Sequence, residues 1–291
     1  MTQTASRIPA FVNAASGSAD DARSALETDP NFEVTDVKPD ELGSHITKAI
    51  AGGATRVLVA GGDGTIATAA ETLMSGETEL AILPGGTLNH FARDLGISTE
   101  AKEALATASG GSCRSVDVGT VNGKLFLNTS SVGAYVRFVK LREYLEERFG
   151  YRLASAIAGL RTLFQFQLIT VDLEVEGVRK SYRTPLVFIG VGERELQLPT
   201  LGNRVKDGKR GLHVIVVQGR SRSRIFVIAM AAMARGVRTA AKSPELDSFI
   251  VDRCTISRRG RGSVAIDGEI VTLDSPLQYE LKRDSLRVVC P

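Results

Sequence analysis

Two glycine-rich turns hold the residues of this chain whose types and spacing could do chemistry. The first reads GGDGT at residues 61–65 and the second reads PGGTLN at residues 84–89. Each turn follows a short apolar run and precedes a helix-like run. Glycine lets the backbone approach an anion closely, and a helix N-terminus presents unpaired N–H groups at the positive end of its dipole. The pair therefore predicts two walls of one nucleotide site.

A single carboxylate, Asp63, lies inside the first turn. A carboxylate there repels phosphate unless Mg²⁺ or a proton-donating hydroxyl lies between them. The alternative interpretation is that Asp63 only caps the following helix, although Thr65 and the glycines already serve the turn. The turn matches neither GxxxxGK[ST] nor GxGxxG, which excludes a Walker-type site and weakens a dinucleotide interpretation.

Alternating strand-like and helix-like runs in the first third of the chain must position these turns. We expect strands at residues 8–12, 32–37, 56–60 and 80–83, alternating with helices at residues 19–27, 40–51, 65–74 and 88–95. Strands that alternate with helices form parallel βαβ units, whose sheet is covered on both faces.

After residue 117 the pattern becomes typical of antiparallel strands. Asn122-Gly123 and Asp267-Gly268 are two-residue hairpin signals between β-like runs, and helical runs are predicted at residues 138–149 and onward to about residue 165. The predicted fold class is α/β plus mostly β. It has a parallel α/β nucleotide-binding domain at residues 1–117 and an antiparallel β-rich domain at residues 118–280, with a cleft between them. A last strand at residues 281–291 returns to the first domain.

The composition is that of a globular protein, since 43% of the 291 residues are hydrophobic and 24% are charged. The formal net charge of +3 allows an anionic partner without requiring one. Three cysteines without metal-ligand spacing fit a reducing compartment. The first ten residues lack the apolar segment of a signal peptide, and the longest apolar run, residues 225–234, is far shorter than the roughly 20 residues that span a bilayer. We expect a cytoplasmic protein.

Four stretches together resemble the diacylglycerol kinase catalytic-domain family, which also contains sphingosine kinases, ceramide kinases and bacterial lipid kinases. They are NAASG at residues 13–17, similar to the family's N-P-x-S-G, GGDGT at residues 61–65, GTLNHFAR at residues 86–93 and DGE at residues 267–269. They follow the family's order over nearly the whole chain. NAD kinases and phosphofructokinases share GGDGT, whereas G-T-x-N-x-F-A-R is specific to the lipid kinases.

The resemblance implies a kinase that uses ATP and Mg²⁺ to phosphorylate the hydroxyl of a membrane lipid. Diacylglycerol is the default substrate, with a sphingoid base or ceramide as alternatives. The resemblance implies that Glu269 is the general base, with Asp63 and Asp267 as further catalytic carboxylates. It implies nucleotide binding by Asn13, Gly61, Gly62, Asp63, Gly64, Thr65, Gly86, Thr87 and Asn89. Taken alone, Asp267-Gly268 would be interpreted as a plain hairpin turn.

Three departures from the family pattern bear on these assignments. His90 stands where most relatives carry Asp, so a fixed negative charge is missing there. Residues 206–213 (KDGKRGLH) replace an acidic stretch that is linked to a structural Mg²⁺, and the cations around Asp207 argue against that second metal site. Ala14 replaces the proline of the first turn, which removes rigidity rather than a chemical group.

Basic residues cluster late in the chain, at Arg204, Lys206, Lys209, Arg210, Arg220, Arg222, Arg224, Arg253, Arg258, Arg259 and Arg261. Each cluster alone is best interpreted as solvated loop charge. Together they suit peripheral binding at the anionic inner face of the membrane. Few aromatic residues and no Trp disfavour nucleic acid as a partner. The helix-like stretch at residues 151–166 is either core or part of an acyl-binding groove.

Two alternative functions stay open. An NAD kinase-like phosphotransferase is disfavoured because GTLNHFAR matches the lipid kinases over a longer stretch. A nucleotide-binding regulator without turnover would explain His90 and the missing acidic stretch. The retained Asp63, Asp267 and Glu269 argue against the regulator.

Overall fold

The computed structural model describes residues 7–134, 168–196, 201–218 and 246–291, together with scattered positions between residues 136 and 161. The helices predicted between residues 138 and 166 and the apolar run at residues 225–234 lie largely or wholly outside these ranges. Two compact units divide the chain: unit 1 comprises Met1–Val118 and Arg283–Pro291, and unit 2 comprises Gly119–Lys282. No helix within the described ranges is long and apolar enough to cross a bilayer.

Unit 1 is a parallel α/β structure. Its elements are β1 Ile8–Asn13, α1 Ala19–Glu27, β2 Phe32–Val37, α2 Leu42–Ala51, β3 Arg56–Gly61, α3 Asp63–Leu73, β4 Glu79–Pro84, α4 His90–Asp94 and α5 Ala101–Gly110. The four strands lie in the order β2-β1-β3-β4, and each neighbouring pair is parallel. The prediction of an N-terminal parallel α/β sheet is confirmed.

Burial on both faces explains the composition of the central strand of this sheet. Residues 57–60 of β3 form an unbroken apolar run, and none is more than 1% exposed. Helices α1 and α3 both contact β3, so that neither face needs polar residues. Helix α1 buries Ala19, Ala22 and Leu26, which are spaced three and four residues apart along one helical stripe.

Three helices begin at residues other than those predicted, and the first of them, α2, begins at Leu42 rather than at residue 40. Helix α3 begins at Asp63 rather than at residue 65, because Gly62 is the extended N-cap residue and the carboxylate of Asp63 is favourable in a first helical turn. Helix α4 begins at His90 rather than at residue 88. Asn89 before it has a left-handed backbone, with φ of 49°, which cannot be part of a right-handed helix.

Unit 2 is built mostly from antiparallel strands. The remaining strands among the described residues are β5 Ser112–Val121, β6 Lys124–Phe126, β7 Thr129–Gly133, β8 Ile169–Val175, β9 Val178–Thr184, β10 Leu186–Val191, β11 Arg194–Leu196, β12 Leu201–Arg204, β13 Leu212–Val217, β14 Leu246–Val251, β15 Arg253–Ser257, β16 Gly262–Ile266, β17 Glu269–Leu273 and β18 Leu277–Cys290. A six-stranded sheet has the order β14-β13-β10-β7-β16-β17, in antiparallel pairs. The prediction of a C-terminal antiparallel β-rich region is confirmed.

Strands β5 and β18 contribute residues to both units. The first half of β18 pairs antiparallel with β15 in unit 2. Near its end β18 pairs parallel with β4 in unit 1, with Val288 opposite Leu80. The last residues of the chain are therefore part of the sheet of unit 1.

Both two-residue hairpin signals form the predicted turns. Asn122-Gly123 joins β5 to β6, and Asp267-Gly268 joins β16 to β17. The four residues have φ values of 47°, 81°, 45° and 91°. Positive φ at both central residues is the mark of the type I′ turn, which matches the twist of the flanking strands.

A buried histidine in the six-stranded sheet makes hydrogen bonds to two other strands, β11 and β14. His213 on β13 is 8% exposed. Its Nδ1 accepts the backbone N–H of Arg194 at 2.9 Å, and its Nε2 lies 2.8 Å from Oγ of Ser248 on β14. Because Nδ1 accepts, the proton of the neutral ring is on Nε2, which donates to Ser248. Burial lowers the pKa of His213, and the cation of Arg194 acts in the same direction, against the carboxylate of Glu193.

We expect the stability of the protein to fall on mild acidification because of His213. Its pKa is below 6.5 in the folded chain and near that value in the unfolded chain, which therefore takes up the proton first. The stabilisation is complete above about pH 6.5 and is lost as the pH falls through the folded value. Urea unfolding midpoints measured between pH 7.5 and pH 5 should decrease less steeply in His213→Asn, which cannot titrate. His90→Asn, which changes an exposed ring, is the matched control. Parallel curves for His213→Asn and the parent protein would contradict this assignment.

Candidate functional site

The two glycine turns of unit 1 contact each other through their backbones. Strands β3 and β4 are parallel neighbours with Gly61 opposite Pro84, so both turns leave the same edge of the sheet. The N–H of Gly85 donates to the carbonyl of Gly61 at 2.8 Å. A Cβ added to Gly86 would lie 2.8 Å from Cα of Gly62, which is closer than real Cβ contacts. The packing of the two turns therefore requires glycine at this position, whether or not a ligand also approaches the backbone there.

The end of β1 adds a third segment to this edge through Asn13. Its Nδ2 donates to Oγ1 of Thr65 at 2.8 Å, and its Oδ1 accepts the N–H of Ala15 at 3.0 Å. Both functional atoms of the Asn13 amide are thus used within the protein. Thr65 accepts this hydrogen bond, so its own hydroxyl proton is available for a different acceptor.

Ser18 is a site residue that the sequence analysis missed. Its Oγ donates to the carbonyl of Gly85 at 2.7 Å, and the hydroxyl of Ser16 lies 3.1 Å away. A Cβ on Gly85 would collide with Oγ of Ser18. These contacts attach the loop after β1 to the second glycine turn. The available signal was a polar residue directly after the NAASG stretch and before a helix.

Asn89 shapes the second turn from within. Its Oδ1 accepts the N–H of Gly86 at 2.9 Å, and its Nδ2 donates to the carbonyl of the same residue at 2.7 Å. Asn89 is 7% exposed and adopts the left-handed conformation that Asn tolerates better than most residues. Its amide therefore fixes the backbone of Gly86 rather than facing an open cavity.

Asp63 lies between the starts of two helices. It is the first residue of α3, and its Oδ1 accepts the N–H of Phe91, in the first turn of α4, at 3.4 Å. The long distance marks a weak hydrogen bond that leaves acceptor capacity on the carboxylate. The neighbouring His90 is exposed.

A cavity of about 520 Å³ opens where the three segments meet, lined by Asn13, Ser16, Gly17, Ser18, Gly62, Gly64, Thr65, Gly85, Gly86 and Thr87. Six of these residues were predicted as nucleotide contacts. The other three predicted residues, Gly61, Asp63 and Asn89, do not line it but make the contacts described above. No charged side chain is among the lining residues, all of which lie in the described part of unit 1. Hydroxyls and the backbone at the start of α3 are its polar groups.

In unit 2, Asp267 is held by three backbone amides. Its Oδ2 accepts the N–H of Leu127 at 2.7 Å, and its Oδ1 accepts those of Asn128 and Thr129 at 2.9 and 2.8 Å. Burial raises the pKa of Asp267, and the three hydrogen bonds oppose that rise. The carboxylate thus attaches the β16–β17 turn to the start of β7. Glu269, two residues later, begins β17 and is exposed.

Hydrogen bonds to Glu193 hold the basic stretch that contains Lys206, Lys209 and Arg210. Oε2 of Glu193 accepts the N–H of Lys209 at 2.9 Å, and the carbonyl of Glu193 accepts the N–H of Val205. Asp207 is exposed, with φ of 60°. Within the described ranges, no three His, Cys, Asp or Glu side chains group together as metal ligands would.

Comparison with known proteins bears on both units. The family model of the diacylglycerol kinase catalytic domain matches residues 7–121. A protein of Pseudomonas syringae pv. syringae (strain B728a) named "Probable lipid kinase YegS-like" is 43% identical over 151 residues, which cover 50% of this chain and 48% of that protein. The diacylglycerol kinase of Bacillus subtilis (strain 168) is 33% identical over 153 residues, covering 51% and 47%.

The chain therefore spans about half the length of these two relatives. A third relative, a protein of Pseudomonas aeruginosa (strain UCBPP-PA14) named "Probable lipid kinase YegS-like", is 47% identical over 90 residues, which cover 30% of this chain and 30% of that protein. The crystal structure of a diacylglycerol kinase from Bacillus anthracis str. Sterne aligns with 98% of this chain and 97% of its own, with a TM-score of 0.72 and 20% identity. That likeness establishes the fold. Residues 7–121 thus match the diacylglycerol kinase catalytic domain, and the family resemblance carried by the glycine-turn motifs is confirmed there.

Proposed function

We propose that this protein is an ATP-dependent lipid kinase that transfers the γ-phosphate of ATP to the hydroxyl of a membrane lipid, with diacylglycerol as the default substrate. One observation carries the proposal: a cavity walled by two touching glycine turns at the edge of a parallel sheet. The names of the relatives, lipid kinase and diacylglycerol kinase, support the substrate class.

The cavity suits the phosphates of ATP. It lies at the carboxyl ends of parallel strands, where open α/β sheets bind nucleotides. The first N–H groups of α3, an 11-residue helix, lie at the edge of the cavity. The N-cap residue is Gly62, which has no side chain, and no side-chain cap of these N–H groups is present among the described residues. The hydroxyls of Thr65 and Thr87 add donors. We therefore assign Gly62, Gly64, Thr65, Gly86 and Thr87 to the phosphates.

Asp63 is the residue of unit 1 that suits Mg²⁺. This ion is commonly held by one or two carboxylates together with substrate phosphates and water, so a single carboxylate beside a phosphate cavity is sufficient. When bound, the ion neutralises charge that develops on the transferred phosphoryl group. Asp63 would orient it, while its weak bond to Phe91 keeps the carboxylate at the start of α4.

Glu269 is the proposed general base, and Asp267 is the residue that positions it. Glu269 is exposed and carries a carboxylate on the first residue of β17, directly after the turn that Asp267 fixes with three hydrogen bonds. Removal of the proton from the lipid hydroxyl by Glu269 gives an oxygen nucleophile that attacks the γ-phosphorus, and ADP leaves. Because both oxygens of Asp267 accept amides, we propose that it acts through the turn.

Peripheral binding at an anionic membrane is the proposed way to reach the lipid. Arg220, Arg222 and Arg224 lie outside the described residues. Arg253 and Arg261 form exposed ion pairs with Glu280 and Asp274. Lys206 and Arg259 are exposed and are the better candidates for contact with lipid headgroups.

Replacing Glu269 tests the proposed activity directly. Glu269→Gln keeps the shape and removes the base, so transfer of labelled phosphate from ATP to diacylglycerol, followed by thin-layer chromatography, should fall roughly 10²–10⁴-fold. ATP affinity should change little, because the residue does not line the phosphate cavity. Glu174→Gln, an exposed change on β8 in the same unit, is the control.

Three outcomes would contradict these proposals. Turnover of Glu269→Gln within about threefold of the parent rate is too small a loss for a general base. Absence of labelled lipid across a panel of diacylglycerol, sphingoid base and ceramide would overturn the kinase proposal, as would labelling of NAD in its place.

Vesicle sedimentation tests the membrane proposal. Bound protein should increase with the fraction of anionic lipid and decrease with added salt. Lys206→Gln and Arg259→Gln should each weaken binding about fivefold, at about 1 kcal/mol per cation, whereas Lys48→Gln, an exposed change in unit 1, should have no effect. Equal binding to neutral and anionic vesicles would exclude the electrostatic account.

A further inference from the structure

Arg258 in unit 2 is a cation with two N–H groups that the protein leaves unpaired. Its Nε and Nη2 atoms are shielded from solvent and have no hydrogen-bond partner. Burial lowers the pKa of Arg258, and Tyr279 opposes that change. A charge that leaves water without a counter-charge is strongly unfavourable, and unsatisfied buried donors are rare in folded proteins. The guanidinium of Arg258 therefore has donors for a ligand that no group of the fold uses.

The guanidinium of Arg258 packs against Gly262, at the edge of the hydrophobic core. Arg258 starts the loop between β15 and β16, and Gly262 is the first residue of β16. A Cβ added to Gly262 would collide with Nη2, Cζ and Nη1 of Arg258. Because side chains alternate along a strand, Gly262 shares its face of β16 with Val264 and Ile266, which belong to the core of unit 2. The cation therefore lies against the apolar face of this strand.

The neighbouring carboxylates are bound to other cations. Asp274 forms an ion pair with Arg261, and Glu280 forms one with Arg253. Among the described residues, no carboxylate forms an ion pair with Arg258 or shifts its pKa. The described part of unit 2 therefore supplies no counter-charge to Arg258.

The unpaired groups have the geometry and chemistry of an anion receptor. The N–H bonds of Nε and Nη2 are parallel along one edge of the guanidinium, which matches two oxygen atoms of a single anion. Oγ of Ser275 accepts the backbone N–H of Arg258 at 2.9 Å, and the Ser275 hydroxyl still has its own proton to donate. The exposed Arg259 adds positive charge to the same loop. Three donors and a second cation favour phosphate, which has more acceptor oxygens than a carboxylate.

We propose that Arg258 is a receptor for a phosphate group and that the structure shows its closed conformation, with the guanidinium against Gly262. A phosphate at the loop draws the side chain away from Gly262 and accepts hydrogen bonds from Nε, Nη2 and the Ser275 hydroxyl. The buried, unpaired charge disfavours the closed conformation, so less binding energy is needed to open it. Free phosphate and the phosphomonoester of a lipid headgroup share this chemistry. The site lies within unit 2 and is independent of the proposed kinase reaction, so each can fail without the other.

The Nε–Hε NMR signal of Arg258 gives a readout that belongs to this site. The signal is assigned by its loss in Arg258→Lys. Inorganic phosphate, titrated at an ionic strength kept constant with chloride, should shift it saturably because Nε donates directly to the ligand. Backbone amide signals of residues 258–262 report binding in the variants, and Arg258→Lys should bind about tenfold to a hundredfold more weakly. Absence of a saturable shift in the parent protein would overturn the proposal.

Gly262→Ala tests the closed conformation, because its methyl group occupies the place of the guanidinium. Gly262 has no positive φ, so alanine introduces no backbone strain there. Removal of the closed population should make phosphate bind more tightly, by about threefold to tenfold. A merely structural role for the contact between Arg258 and Gly262 predicts unchanged or weaker binding, and either result would overturn the proposal.

Arg258→Met tests the unpaired charge. This variant should lose phosphate binding, and its thermal unfolding midpoint without phosphate should be higher than that of the parent protein, because an uncompensated buried charge is removed. Arg259→Met, which removes the adjacent exposed cation, should retain phosphate binding and an unchanged midpoint. A lower midpoint in Arg258→Met would show that the protein itself compensates the charge, and equal loss of binding in both variants would assign it to the loop charge. Each result would contradict the proposal.

A soluble short-chain phosphatidic acid, used below its critical micelle concentration, identifies the source of the phosphate. Tighter binding than inorganic phosphate, lost in Arg258→Met, assigns the site to a lipid headgroup. Equal affinities assign it to free phosphate. A short-chain diacylglycerol without phosphate is the control, and an equal shift of the Arg258 signal with that lipid would contradict a phosphate site.

Discussion

The close approach of two backbones, at Gly62 and Gly86, is the constraint on which the candidate site depends. A hydrogen bond from Gly85 to Gly61 continues the β3–β4 pairing beyond the strands, and it leaves no room for side chains between the turns. The cavity lies beside this contact, between the two glycine turns and the loop after β1. Its polar groups are backbone groups and short polar side chains, so strand register sets their positions and long flexible side chains do not. Under the proposed function, such a site is preorganised for the phosphates of ATP.

Side-chain amides and hydroxyls then attach neighbouring segments to this contact. Asn13 binds Thr65, Ser18 binds the carbonyl of Gly85, and Asn89 forms a reciprocal pair with Gly86. None of these residues is charged. Neutral hydrogen bonds each contribute about 1 kcal/mol and hold the loops without adding a fixed charge that would repel or over-stabilise an anion. Asp63 is the carboxylate at the start of α3, and the proposed function assigns Mg²⁺ to it.

Unit 2 uses its carboxylates in two different ways. Asp267 is surrounded by amide donors and supports the turn geometry, whereas Glu269 on the same hairpin is exposed. A carboxylate that accepts three backbone N–H groups would leave three buried donors unpaired if it were removed, so Asp267 can matter to activity through structure alone. The two carboxylates of the DGE stretch, Asp267 and Glu269, thus have different environments although they are two residues apart.

Local sequence signals predicted the architecture well because they have local causes. Glycine turns after β-branched runs and the NG and DG dipeptides each act within a few residues, and the structure has the corresponding elements. Contacts that depend on long-range register could not be predicted. Ser18 meets Gly85 across 67 residues and His213 meets Ser248 across 35, and no periodicity in the sequence encodes either pairing. The left-handed Asn89 also escaped prediction, because its conformation depends on hydrogen bonds to Gly86 as well as on the tolerance of Asn for that region.

The most direct test of the account is whether the contact between the two turns controls ATP binding. At a concentration about 100-fold above its Kd, Mg²⁺–ATP should stabilise the parent protein by about 2.7 kcal/mol in thermal unfolding. Gly62→Asp should abolish this stabilisation, because its Cβ would lie 3.3 Å from Cα of Gly86 and its charge would face the phosphates. Gly62→Ala should reduce it, and Gly110→Asp, at a glycine with open space, should retain it. An undiminished ATP-dependent stabilisation in Gly62→Asp would contradict the assignment of this cavity to ATP.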